Sequence, residues 1–131
     1  MRFVKFSLAV ICAVLALSAS AAPPEIPVAL KSGESTEVMD LYWVINCRSL
    51  LTAPTEVTIL DGPQGVTASA PEAMVVPRAQ QCANPVKGAK LVLTAGQIED
   101  ASSTIMTVRI RYHTKDGVRE MSPKFSIQLF P

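Results

Sequence analysis

The sequence predicts an all-β protein: an antiparallel sandwich of about seven strands, held by one disulfide. Three observations lead there. Apolar and polar residues alternate with a period of two in several segments. Proline and glycine punctuate the chain roughly every eight to twelve residues, as in sandwiches. No stretch after the first twenty-odd residues carries a helical period.

Residues 1–21 have the three zones of a secretory leader. Arg2 and Lys5 make a positive start, Phe6 to Leu17 is apolar, and Ala19-Ser20-Ala21 fits the small-residue cleavage rule. Cleavage then leaves Ala22 as the first mature residue. The apolar run is shorter than the ~20 residues a membrane span needs, so no stable span is expected after cleavage. Cys12 lies inside that run, not at its end, which disfavours a lipoprotein.

Losing the leader changes the arithmetic. The full chain has 131 residues, 12 basic and 11 acidic side chains and three cysteines. Without Arg2, Lys5 and Cys12, about 110 residues remain, the charge turns slightly negative, and Cys47 and Cys82 are left as an even pair. A near-neutral balance provides no overall field for nucleic acid. Two cysteines in an exported chain read as a structural disulfide. A redox or metal pair would call for a C-x-x-C spacing or a nearby histidine, and neither is present. Closing that loop contributes roughly 3–4 kcal/mol in chain-entropy terms.

Residues 22–36 divide into a proline-rich lead-in, Ala22 to Pro27, and a first strand; the sandwich proper is expected over 37–131. From Glu37 to Cys47 the alternation places Met39, Leu41, Trp43, Ile45 and Cys47 on one face, so the disulfide is expected to pack beside the indole. Thr55 to Leu60 is β-branched and ends at the turn signal Asp61-Gly62-Pro63. Val66 to Ala70, Ala73 to Val76 and Lys90 to Ala95 are further strands. Arg78 to Gly88 reads as a loop pinned by Cys82, and Gly96 to Ser103 as a polar connection with room for one helical turn.

The last segment is a hairpin around Asp116-Gly117, because a two-residue turn wants positive φ at both positions. Centred there, Val108 faces Phe125, Met106 faces Ile127, Tyr112 faces Met121 and His113 faces Glu120. Arg109 falls opposite Lys124. Pro123 would face Ile110, where its missing N–H implies a bulge or an edge.

Short strands, a disulfide and a terminal hairpin resemble the immunoglobulin-like β-sandwich in plan. The departure is that Trp43 precedes the first cysteine by four residues, where antibody-type domains place their tryptophan on the following strand. The resemblance therefore implies an architecture and no antibody-like function. Cys82-Ala83-Asn84 and Tyr112-His113-Thr114-Lys115-Asp116-Gly117 are also similar to small exported proteins of Gram-negative bacteria, which implies a periplasmic or secreted location.

Catalytic chemistry is thinly provided. His113 is the sole histidine. Ser122, His113 and Glu120 make the one conceivable hydrolytic set, but open strands offer no oxyanion hole, so no catalytic residue is assigned. One histidine cannot build a zinc site, and His113 with Met121 is a poor copper pair; no metal or cofactor is expected. The chain also lacks a nucleophile elbow and a phosphate loop.

One surface feature stands out. Arg109, Arg111, His113, Lys115 and Lys124 share the outer face of the hairpin, opposed by Glu120 alone. Such a stripe protects an exposed edge or binds an anionic partner. The expected function is binding, without catalysis, of a protein or an anionic envelope component. The alternatives are an enzyme inhibitor presenting the Arg78–Gly88 loop, or a small hydrolase. N-terminal sequencing of protein recovered from an exporting host is expected to begin at Ala22; a start at Met1 would instead indicate a tethered domain.

Overall fold

The computed structural model describes residues 24–78 and 81–131, so the leader expected over 1–21 lies outside the described residues. Strand β9 (Ser102–Thr114) organises the rest. Its residues alternate strictly: Met106, Val108, Ile110, Tyr112 and Thr114 are buried, and Ile105, Thr107, Arg109, Arg111 and His113 face outward. Along one side it pairs antiparallel with β10 (Gly117–Met121) and then β11 (Lys124–Phe130). On its other side lies β5 (Glu56–Asp61). The sheet is completed by β1 (Ile26–Lys31), which runs parallel to β11 with Ile26 opposite Phe125 and Lys31 opposite Phe130. Pro27 lies within β1, an edge strand, where its missing N–H costs no ladder bond on the solvent side.

The second sheet is built on β8 (Val86–Ala95). It pairs with β2 (Ser35–Leu41) on one side and with β6 (Val66–Ser69) and β7 (Glu72–Val75) on the other. Strands β6 and β7 keep one register along β8 and are parted by Pro71, whose carbonyl still accepts from Lys90 N at 3.1 Å. Likewise β10 and β11 are one line interrupted at Pro123, whose carbonyl accepts from Val108 N at 3.1 Å. Counted as lines, the two sheets hold seven strands among the described residues. A short extra hairpin, β3 (Val44–Ile45) and β4 (Arg48–Ser49), lies outside both.

The inner faces meet in a single core. Leu30, Met106, Val108, Ile110, Phe125 and Ile127 come from the first sheet, and Leu41, Leu91 and Leu93 from the second, all with no exposure. Apolar area removed from water is the main stabilising term, roughly 25 cal/mol per Å². Trp43 is half-buried against this core and lies 5.5 Å from the Tyr112 ring, tilted by 47°.

Several expectations are corrected. The strand from Glu37 does not reach Cys47: β2 ends at Leu41, and Asn46 and Cys47 take φ of 51° and 59° at the β3–β4 turn. Two positive φ values in a two-residue loop define a type I′ turn, for which asparagine at the first position is a known signal. Cys47 is thus at a turn tip, away from the core face, and Ile45 is half-exposed. A bulge at Val38 further breaks the parity assumed along β2. The disulfide itself is formed, Cys47 to Cys82 with Cα atoms 5.4 Å apart, tying that turn to the segment before β8.

The hairpin register is also shifted by two residues. Thr114 closes the turn against Gly117, with Lys115 and Asp116 between them. Only Gly117 takes a positive φ, 111°, so the turn uses ordinary backbone at its centre and the glycine just after it. Met106 therefore faces Phe125, Tyr112 faces Arg119, and Pro123 sits across from Val108 without a register shift. Because the slip is by two, every side chain that stays in a strand keeps its face, and Lys115 passes into the turn. The connection 96–101 carries no helix, and the loop after Arg78 is shorter than expected because β8 starts at Val86.

Gly88, read from sequence as a loop residue, lies inside β8 where strands crowd. A Cβ there would overlap the Leu41 carbonyl oxygen and stand 2.7 Å from Val75 Cγ2. Gly117, by contrast, has open space around it and is held by φ alone. Gly88→Ala is expected to cost about 2 kcal/mol or more by overpacking, and Gly117→Ala about 1–2 kcal/mol by backbone strain. Urea unfolding of the two variants checks both; equal, negligible losses would contradict the packing assigned to Gly88.

Candidate functional site

The outward face of β9 carries the basic residues because its inward positions are taken by the core. On that face β5 and β10 supply the neighbours. Glu56 lies across from Arg111 on the β5 side, and Glu120 across from Arg111 on the β10 side. Arg111 gives its Nε and Nη2 to one oxygen of Glu120, at 2.8 and 2.7 Å. His113 Nε2 lies 2.9 Å from Glu56 Oε2. That hydrogen bond, with the nearby Arg111 charge, holds the Glu56 carboxyl below its ordinary value. His113 is therefore paired with Glu56 and not with Glu120, and Glu120 is taken by Arg111. The Ser122–His113–Glu120 set is not assembled.

This divides the expected stripe. Arg111 and His113 are paired with Glu120 of β10 and Glu56 of β5, whereas Arg109 and Lys124 have no ion-pair partner among the described residues. The expected Arg109–Lys124 clash is relieved by the register. Lys124 pairs with Thr107, and the ladder between Ile110–Met121 and Thr107–Lys124 sets Arg109 across from Ser122. On its other side Arg109 faces Thr58. A free guanidinium thus stands between two hydroxyl residues. With Glu56, Val57, Thr58 and Arg111 it borders a depression of about 380 Å³. A guanidinium fork and hydroxyl donors suit phosphate, sulfate or carboxylate oxygens.

Lys115 has left the face. It sits in the hairpin turn and lines the same depression as Arg48 of the β3–β4 hairpin. Glu56, Thr58 and Arg48 were not singled out from sequence. The signal for the first two is the β-branched run Thr55 to Leu60, but its partner strand cannot be read locally. Arg48 follows an Asn-containing turn signal that the alternation through Trp43 obscured. Met106 is buried in the core as expected, Met39 is partly so, and Met74 is exposed. Met121 Sδ accepts the Tyr112 hydroxyl at 3.5 Å and does not meet His113. Among the described residues no group of three or more His, Cys, Asp or Glu side chains is placed to hold a metal ion, and no helix is long and apolar enough to cross a membrane.

Comparison with known protein families, curated proteins and solved structures finds no match to this chain.

Burial pushes the Tyr112 hydroxyl up to about 12, with the neighbouring Tyr42 adding to the shift. The folded state then keeps its proton where the unfolded chain, near the usual ~10, gives it up. Stability is present in full below pH 10 and is lost as pH rises toward 12. Chemical denaturation across that window should show the loss in the wild type and a shallower one in Tyr112→Phe.

Proposed function

We propose that this chain is an exported immunoglobulin-like β-sandwich that works by binding, without catalysis, an anionic component of the cell envelope or a protein that presents one. The immunoglobulin-like reading is supported by the strand order. A sheet of β2, β8 and β6/β7 faces one of β5, β9, β10/β11 and β1, with β1 parallel to the last strand. Export is supported by the leader-like residues 1–21, and the Cys47–Cys82 bond is consistent with an oxidising compartment.

The observation that carries the binding site is Arg109 with Lys124, which have no ion-pair partner among the described residues on a face where Arg111 and His113 are paired with acids. Edge protection alone would not require it, since Arg109 belongs to β9, an interior strand of the sheet. An anion seated there accepts hydrogen bonds from Arg109 and from the Thr58 and Ser122 hydroxyls, with Lys124 as a second charge. The Glu56–His113 and Arg111–Glu120 pairs border the site.

Co-sedimentation with lipopolysaccharide aggregates tests the reading. Wild-type binding should fall as salt is raised, because exposed charges are screened beyond about 10 Å at 0.1 M. Arg109→Glu combined with Lys124→Glu should weaken binding by at least about tenfold, as expected for reversing two contacting charges. Where the anion is borne by a protein, cross-linking in periplasm should lose the same partner in the double variant. Binding unchanged by the double variant in both assays would overturn the sheet-face site.

A further inference from the structure

Two turns, β3–β4 and β9–β10, meet and enclose a depression. The β3–β4 hairpin is followed by residues 50–52, which run antiparallel to the end of β9. Lys115 N donates to Leu50 O at 3.1 Å, Thr52 N donates to His113 O at 2.8 Å, and Leu51 bridges Thr114. The two turns are held independently. The first is anchored covalently through Cys47. In the second, Thr114 Oγ1 donates to Gly117 O at 2.7 Å and accepts from Asp116 N at 3.2 Å.

Between them is a groove of about 540 Å³, the size of a small-ligand site. Arg48 and Lys115 line it, and neither has an ion-pair partner among the described residues. Asp116 is its one acidic side chain, so the cations outnumber it two to one. Ile45, paired directly with Arg48 across the hairpin, is 49% exposed, and half-buried Leu50 continues the apolar strip. An aliphatic residue left half in water beside two uncompensated cations defines an amphipathic surface with a positive end.

We propose that this groove binds an aliphatic carboxylate, its head accepted by Arg48 and Lys115 and its chain laid over Ile45 and Leu50. A guanidinium and an ammonium supply charge-assisted donors to the carboxylate, and contact with Ile45 takes apolar surface out of water. The turn backbones are already held by the disulfide and by hydrogen bonds, so binding has to order only the Arg48 and Lys115 side chains. The site is separate from the sheet face of Arg109 and Lys124, and its fate does not depend on that reading.

The protein carries its own reporter. The single tryptophan, Trp43, is tied to the groove wall, its carbonyl accepting from Leu50 N at 2.9 Å. Decanoate, titrated below its micelle threshold, should change Trp43 fluorescence saturably. Decanol should not reproduce the change, and inorganic phosphate should compete only weakly. Arg48→Gln with Lys115→Gln should weaken decanoate by about tenfold or more through loss of two charge-assisted contacts. Asp116→Asn should tighten it, while Arg109→Glu with Lys124→Glu should leave it unchanged. Circular dichroism and a free-thiol assay confirm that each variant is folded with its disulfide closed; should the double glutamine variant misfold, Lys115→Gln and Asp116→Asn alone must still move affinity in opposite directions. A non-saturable response, equal binding of decanol, or affinity unmoved by these charge changes would overturn the proposal.

Discussion

Everything in this protein is arranged around the two-residue period of β9. A strand must send successive side chains to opposite faces. In β9 that geometric fact separates Met106, Val108, Ile110 and Tyr112, which fill the sandwich, from Arg109, Arg111 and His113, which cannot enter it. The same strand is bonded along both edges, to β10/β11 and to β5. Its outward charges are therefore held in place by backbone ladders and met from both sides by neighbours of chosen sign. Glu56 and Glu120 pair with His113 and Arg111, while Thr58 and the line through Ser122 leave Arg109 unpaired.

How much of this was legible in the sequence depended on which physical rule each element obeys. Faces were legible. Alternation in residues 102–114 and 124–130 assigns core and surface correctly, and a slip of two residues in the hairpin leaves that assignment intact. Partners were not, because they follow from where the turn places its positive φ. Asp116-Gly117 invites a turn with both residues left-handed, yet Gly117 alone takes that conformation, and each partner moves by two. That small difference exchanges His113 for Arg111 at Glu120 and turns an expected repulsion at Arg109 into a neutral neighbourhood.

The cysteines repeat the lesson. Their count and spacing were enough for the disulfide, since pairing is a matter of compartment and number. The location of Cys47 was not legible, because alternation was carried through Tyr42 and Trp43 after β2 had ended. Glycine misled in the opposite direction: Gly88 breaks a pattern on paper, but in space it lets β8 pass close to Leu41 and Val75. The acidic partner from β5 had no local signal at all, since Glu56 and His113 are 57 residues apart.

The parallel pairing of β1 with β11 has a temporal side. Among the described residues β1 has its one ladder partner in β11, which is wedged between β1 and β9. A chain that emerges amino end first, from a ribosome or through a translocation pore, must hold β1 unpaired until residues 124–130 have appeared. Contacts this distant in sequence close late and slow folding. The first sheet thus closes over β1 only once residues 124–130 are available, whatever the rest of the chain has already paired.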